Sequence, residues 1–171
     1  VNRFFKRTFD IIFSSFVLVF IFSWFYPLIA VLIKLTSKGP ILFKQVRSGI
    51  NNEDFVCYKF RSMVSTDESD TKQAVKGDMR ITKFGNFLRR SSIDEFPQFI
   101  NVLLGDMSVV GPRPHMLAHT EEYSLLINKY MVRQLVRPGI TGIAQVRGYR
   151  GETKEIEDME GRVRLDVWYI E

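Results

Sequence analysis

Residues 11–33 read IIFSSFVLVFIFSWFYPLIAVLI, 23 consecutive positions without a charge. As one helix at 1.5 Å per residue this run reaches about 34 Å, enough to cross a hydrocarbon core. It is too long for a cleavable leader, and no small-residue cleavage site follows it, so it reads as a retained membrane segment. Arg3, Lys6 and Arg7 precede the run, and Lys34 and Lys38 follow it. The preference of cationic flanks for the cytoplasm therefore pulls on both ends. Pro27 lies inside the run, where it lacks a backbone donor and crowds the preceding turn, so a bend near Tyr26-Pro27 is expected. A helix that enters, breaks there and returns to the same face satisfies both flanks. An ordinary kinked span is the alternative, because membrane helices tolerate proline.

After TSKGP the period changes. Residues 41–47 and 55–61 are strand-like and are separated by the turn-rich SGINNED, which predicts a β-hairpin. In the second strand Val56, Tyr58 and Phe60 share one face, and Cys57, Lys59 and Arg61 the other. For an isolated Lys-x-Arg the ordinary account is a solvated sheet edge. Residues 64–78 are polar with little periodicity and read as a surface loop. Helical spacing returns at Phe84, Phe87 and Leu88, then at Tyr123, Leu126, Ile127, Tyr130 and Met131, and again at Ile156, Met159 and Val163. The expected fold class is α+β and mainly helical, with a small β-hairpin and no internal repeat.

Length and composition narrow this picture. A chain of 171 residues, 46% hydrophobic and 13% aromatic, can bury one sizeable core. The net charge of +5 favours an anionic partner: nucleic acid, a phospholipid surface or a phosphorylated small molecule. No recognition helix, zinc-finger spacing or base-stacking pattern is visible, and the membrane segment further disfavours nucleic acid. Cys57 is the one cysteine, so an internal disulfide and a cysteine-based zinc cluster are excluded. Its apolar context, FVCYKF, predicts a packed thiol in a reducing compartment.

The candidate chemistry lies in RRSSIDEFPQFINVLLGDMS, residues 89–108, where two acids, Asp94 and Glu95, adjoin each other. Ser92-x-x-Glu95 matches a capping box, and Asp94 suits the positive end of a helix dipole. Cations nevertheless crowd this part of the sequence: Lys59, Arg61, Arg80, Arg89 and Arg90, with Arg113 in GPRP and Arg137 in RPGITG. A helix start flanked by arginines would lower both carboxyl pKa values and attract phosphate. One acid could then hold Mg²⁺ while its neighbour attacks phosphorus. Capping and catalysis are both open from these residues alone.

Taken in order, the motifs KRTFDIIFS, KGPILFKQVRSG, YKFRSM, RITKFGNFLRRSSIDEFPQFINVLLGDMSVVGPRP and VRPGITGIAQVRGYRGET carry a resemblance covering nearly the whole chain. The chain resembles the bacterial sugar transferase family, the monotopic polyprenyl-phosphate phosphoglycosyl transferases. The resemblance implies transfer of a sugar 1-phosphate from a nucleotide diphosphosugar, a UDP-sugar, to polyprenyl phosphate, releasing a nucleoside monophosphate. It implies Asp94 as the nucleophile that forms an acyl-phosphate and Glu95 as the acid associated with Mg²⁺. Lys59, Arg61, Arg80, Arg113 and Arg137 match basic positions assigned to phosphate binding or to holding the site together, with Gln145 and Arg147 as further substrate-binding candidates. Asn101 and Asp106 fall in matching motifs as well.

The resemblance also favours the re-entrant helix: residues 1–38 as a membrane-embedded helix-break-helix, and 39–171 as the catalytic region. The two would form one structural unit, with amphipathic helices at the membrane surface. The implied location is the cytoplasmic face of the bacterial inner membrane, in contact with membrane lipid and compatible with a homo-oligomer. PHMLAHTEEY and GYRGET look most like members that use UDP-glucose or UDP-galactose. Those members are usually longer, so the chain is expected to be a piece of a larger protein.

The chain departs from the family pattern at three positions. Tyr26 stands where the family often has Ser before the membrane-segment proline, which bears on the form of the break, while Ile143 stands where Trp is common and Arg147 where Asn is usual, which weakens a nucleotide or sugar role for the AQVRG loop. His115 and His119, spaced i and i+4, lack the HExxH pattern and third ligand of a catalytic zinc. Trp24 and Trp168 suit interfacial anchoring or packing. A basic adaptor that binds anionic lipid without catalysis is the competing function, although it would not need the acidic pair.

Overall fold

The computed structural model describes residues 3–64, 75, 77–151 and 155–171. Most of the polar stretch expected to form a surface loop lies outside the described residues, as do positions 152–154.

The apolar N-terminus forms one helical run of 34 residues: α1 (Arg3–Phe16), a π-helical segment (Val17–Phe22) and α2 (Ser23–Thr36). It is long and apolar enough to cross a membrane, extending about 50 Å if straight. The expected interruption at Tyr26-Pro27 is absent, since α2 continues through Pro27. The departure from α geometry falls instead on the π-helical segment one turn upstream. Widening the turns ahead of a proline gives the ring room without severing the helix.

Both ends of this run are fastened to the rest of the fold. Near the N-terminus Asp10 accepts hydrogen bonds from the Ser108 hydroxyl (3.0 Å) and the Val109 amide (2.9 Å). Arg7 donates to the Val102 and Leu103 carbonyls at 2.6 and 3.0 Å. At the far end Ile29 and Ile33 pack with Phe60 and Leu88, and Arg61 donates to the carbonyls of Ser37 (2.7 Å) and Lys38 (2.5 Å). Between these anchors Phe22 meets Phe60 and Phe25 meets Phe96, with ring centroids 5.8 and 5.6 Å apart. The opposite side is a stripe of exposed apolar residues at spacings of three and four: Phe5, Phe9, Ile12, Phe16, Phe20, Trp24, Leu28, Val31 and Leu35.

The hairpin forms as expected. Strands β1 (Leu42–Ser48) and β2 (Asp54–Phe60) are antiparallel, with Leu42 opposite Phe60 and Ser48 opposite Asp54. Asn51 and Asn52 turn the chain with left-handed φ of 53° and 62°, which asparagine tolerates. Phe55 and Cys57 pack with Val102 and Met107. The solvated-edge account of Lys-x-Arg is overturned: Arg61 is 4% exposed and Lys59 points inward, because the face of β2 that carries them is covered by the helix Gln98–Leu104, the turn bearing Glu95 and the end of α2.

Helix α3 (Lys83–Ser91) starts at Thr82, whose hydroxyl accepts from the Gly85 amide at 2.8 Å. Helix α4 (Gln98–Leu104) ends at Gly105, with φ 100°. Asn101 joins α4 to β2, accepting from the Tyr58 amide (3.0 Å) and donating to the Val56 carbonyl (2.7 Å). Two short parallel strands without a sequence signal, β3 (Ser108–Val110) and β4 (Gly139–Thr141), bring the GPRP and RPGITG segments together.

Helix α5 (Leu117–Leu126) stops earlier than the apolar spacing suggested. Ile127 is extended, Lys129 adopts φ 60°, and a 3₁₀ helix follows over Tyr130–Leu135. This corner lets Ile127 and Tyr130 both reach Met159, Val163 and Val167 of α7 (Ile156–Ile170). Between them lies the short helix α6 (Ile143–Val146).

Helix α3 lies so close to the end of β2 that a methyl group on Gly85 would fall 1.8 Å from the Ser62 carbonyl oxygen. Backbone cannot yield as a flexible side chain does, so Gly85→Ala should destabilise the fold by about 3 kcal/mol, read as a lower melting temperature of the full chain.

Candidate active site

A cavity of about 350 Å³ opens where the hairpin, α3, the segment after β3 and α7 converge. Asp94 and Glu95 both line it, carried by a single 3₁₀ turn (Ile93–Glu95) that follows α3. Ser92, in the left-handed conformation at φ 60°, reverses the chain between helix and turn. The capping box does not form. Ser92 makes no cap hydrogen bond with its side chain, and its hydroxyl accepts instead from Arg150.

The two acids have different surroundings. Glu95 receives Lys59 Nζ on Oε1 (2.9 Å) and Arg113 through Nη2 on Oε1 (2.5 Å) and Nη1 on Oε2 (3.2 Å). Burial works against its charge, but Lys59 and Arg113 outweigh burial and hold its carboxyl well below the usual range. Asp94, 9% exposed, makes no hydrogen bond to any described residue. Burial pushes its carboxyl up and the neighbouring Glu95 adds to the push, while Lys59, Arg89 and Arg113 pull the other way. The expectation that both carboxyls are lowered thus holds for Glu95 and fails for Asp94, because the cations are committed to Glu95.

Among the basic residues expected at the site, Lys59, Arg61, Arg80 and Arg113 line the cavity. Lys59 and Arg113 are the Glu95 partners, while Arg61 is turned toward the end of α2. Arg80 grips Asp78, with Nη2 to Oδ2 at 2.7 Å. The other three expected residues do not line the cavity. Pairing of β4 with β3 carries Arg137 to the end of α4, where its Nε donates to the Gly105 carbonyl at 2.7 Å. Gln145 donates back to the Ile140 carbonyl (3.2 Å), and Arg147 is exposed beyond α6.

Further residues line the cavity: Arg47, Arg89, His115, His119, Arg150 and Arg162. Arg47 and Arg150 fall within the KQVRSG and GYRGET motifs, whereas nothing local marked Arg162 on α7. His115 is buried with Nδ1 2.6 Å from the Tyr130 hydroxyl and 2.9 Å from Arg133 Nη1, and Arg133 Nε donates to Asp166 at 2.7 Å. Burial together with Arg133, Arg162 and Arg47 holds the imidazole well below its usual pKa, so it is neutral at physiological pH. The arrangement suits anion binding beside one carboxylate whose oxygens accept no hydrogen bond from the described residues.

A family model described as bacterial sugar transferase matches residues 1–171. The chain is 52% identical over 171 residues to the UDP-glucose:undecaprenyl-phosphate glucose-1-phosphate transferase of Klebsiella pneumoniae, covering 99% of this chain and 37% of the relative. It is 47% identical over 167 residues to the protein of the same name from Caulobacter vibrioides, covering 97% and 62%. With the UDP-N-acetylgalactosamine-undecaprenyl-phosphate N-acetylgalactosaminephosphotransferase of Aeromonas hydrophila it shares 44% identity over 171 residues, covering 99% and 40%. The chain therefore spans less than two thirds of each of these relatives.

The unequal surroundings of the acids predict opposite effects on stability. Glu95, depressed in the folded state, stabilises the fold above its unfolded pKa, and that contribution is lost as pH falls through the folded value. Glu95→Gln should therefore cost about 3 kcal/mol at neutral pH, leaving Lys59 and Arg113 without their carboxylate. Asp94, raised in the folded state, disfavours folding once pH exceeds its unfolded pKa. Asp94→Asn should melt above the wild type at pH 7, and thermal melts of both variants check the pair.

Proposed function

From the premise that the chain belongs to the bacterial sugar transferase family, we propose that it carries the catalytic site of a phosphoglycosyl transferase moving glucose 1-phosphate from UDP-glucose to polyprenyl phosphate. The observation that carries this reading is Asp94: a carboxylate without a hydrogen-bond partner among the described residues, at the wall of a cationic cavity, while its neighbour Glu95 absorbs two cations. The names of the Klebsiella and Caulobacter relatives support glucose, and the Aeromonas name supports a family whose sugar varies between members. A lipid-binding adaptor would have no use for a buried carboxylate that lowers the stability of its own fold.

In the proposed first step an Asp94 oxygen attacks the β-phosphorus of the donor. The Asp94 oxygen–phosphorus bond forms, the bond between the β-phosphorus and the bridging oxygen breaks, and UMP leaves with that oxygen and the bond's electron pair. In the second step a phosphate oxygen of the acceptor attacks the same phosphorus. The acyl-phosphate bond breaks, Asp94 regains its charge and the lipid diphosphosugar departs. Burial of Asp94 deprives the nucleophile of water, and the cations around it offset charge on the phosphoryl oxygens. Lys59 and Arg113 act through Glu95, fixing the turn that aims Asp94 into the cavity.

Glu95, the acid expected to hold Mg²⁺, already shares its oxygens with two cations that oppose a third, whereas the Asp94 carboxylate, without a hydrogen bond to any described residue, could instead join substrate phosphate oxygens around a hard ion. When bound, the ion would neutralise phosphate charge.

The N-terminal run supports a re-entrant helix seated in the cytoplasmic face of the inner membrane. Its two basic flanks are fastened to one body, so a crossing that separated them would tear either the Asp10 anchor or the Arg61 anchor. Its stripe from Phe5 to Leu35 would face lipid.

The test uses the full chain in lipid nanodiscs with Mg²⁺, polyprenyl phosphate and a panel of labelled UDP-sugars. Label should reach the organic phase from UDP-glucose, and Asp94→Asn should lower that rate by at least about 1,000-fold. Full turnover by the variant would remove Asp94 as nucleophile, and label released as free sugar phosphate would make the protein a hydrolase.

A further inference from the structure

Most cations of the cavity have local partners: Lys59 and Arg113 are matched to Glu95, Arg61 to backbone carbonyls, Arg80 to Asp78, Arg150 to the Ser92 hydroxyl and Arg89 to the Met63 sulfur. On the wall formed by the hairpin and α7, Arg47 and Arg162 act on His115 and His119 alike. Arg47 donates to the Pro114 carbonyl (3.3 Å) and to Gln45. Arg162, 6% exposed, places Nη1 3.4 Å from His115 Nε2 and Nη2 3.3 Å from the Gly151 carbonyl.

Among the described residues neither arginine pairs with a carboxylate, and the Nε of each is buried without a hydrogen-bond partner. Asp166, on the same helix as Arg162, is bound to Arg133 at 2.7 Å. The neutral His115 supplies no countercharge. Burial lowers each guanidinium only to about 10, so both remain cationic at neutral pH. Arg47 is half-buried and Arg162 buried, and the carboxylates whose charge reaches them, Glu95 and Asp166, are already bound by other cations, so two such arginines on one wall are costly unless an anion joins them. Guanidinium groups also present paired donors that match phosphate oxygens, as an ammonium does not.

We infer that Arg47 and Arg162 form a second anion subsite, a phosphate clamp in the same cavity as the Asp94–Glu95 turn but built from side chains that do not bond to it. Resting on the transferase reading above, the clamp holds the phosphate that is not attacked. That group is either the α-phosphate of the nucleotide, retained in UMP, or the phosphate monoester of the acceptor. Their shared chemistry is a phosphate with at least two oxygens free to accept.

The experiment measures binding, so its outcome is independent of turnover. Inorganic phosphate is titrated into the full chain in nanodiscs and thermal melting is followed. A saturable rise in melting temperature is expected for the wild type and for Asp94→Asn. Arg47→Gln and Arg162→Lys should each weaken the apparent phosphate affinity at least about tenfold, roughly 1.4 kcal/mol. Arg162 is tied to the core, so if its variant does not fold, Arg47→Gln alone decides. UMP and farnesyl phosphate, titrated in the same way, distinguish the sources: weakened UMP binding assigns the clamp to the donor, and weakened farnesyl phosphate binding to the acceptor. No saturable response in the wild type, or variants that bind all three probes as the wild type does, would overturn the clamp. Loss of lipid product with the clamp intact would instead overturn the transferase reading.

Discussion

The structure turns on the hydrogen bonds from Lys59 and Arg113 to Glu95. Lys59 belongs to β2, Glu95 to the turn after α3, and Arg113 to the proline-flanked segment after β3, so one carboxylate joins three parts of the chain. The same contacts set the charge balance next door. Every cation drawn to Glu95 is one that leaves Asp94 less compensated, and burial then raises the Asp94 carboxyl. Two like charges side by side are tolerated because one is saturated and the other faces a cavity.

The N-terminal run belongs to this assembly as much as to a membrane. Arg61 bonds the carbonyls at the end of α2, and the adjacent Phe60 packs with Ile29 and Ile33, only one position beyond Lys59. At the other end, Asp10 holds β3, whose chain leads directly into Arg113. The helix that presents apolar residues outward on one side therefore positions, on its inner side, the two segments that hold Glu95.

Much of this was legible in the sequence for simple reasons. Alternating residues marked the hairpin, and three-four spacing marked α3 and α7. An uncharged run of 23 positions marked the N-terminal helix. The acidic pair stood out by its setting among cations. What escaped depended on contacts between distant segments. The spacing of Tyr123, Leu126, Ile127, Tyr130 and Met131 fitted a helix, but packing on α7 favoured a corner. Strands β3 and β4 are too short to carry a period, so the displacement of Arg137 from the cavity had no local sign. Arg162 reads as an ordinary helix cation until α7 is placed beside His115. Ser92 and Glu95 matched a capping box by spacing alone, and the stronger demand of Lys59 and Arg113 for a carboxylate prevailed.

Cys57 is 1% exposed, and burial pushes its thiol up against the pull of Lys59 and Arg47. As the single cysteine of this chain it is both inaccessible and poor in thiolate, which leaves the 171-residue chain a poor target for maleimides and other thiol reagents. A cysteine placed on an exposed site would then be labelled almost alone. A spin label or fluorophore attached along the outward stripe could measure immersion depth residue by residue, without first stripping the background thiol.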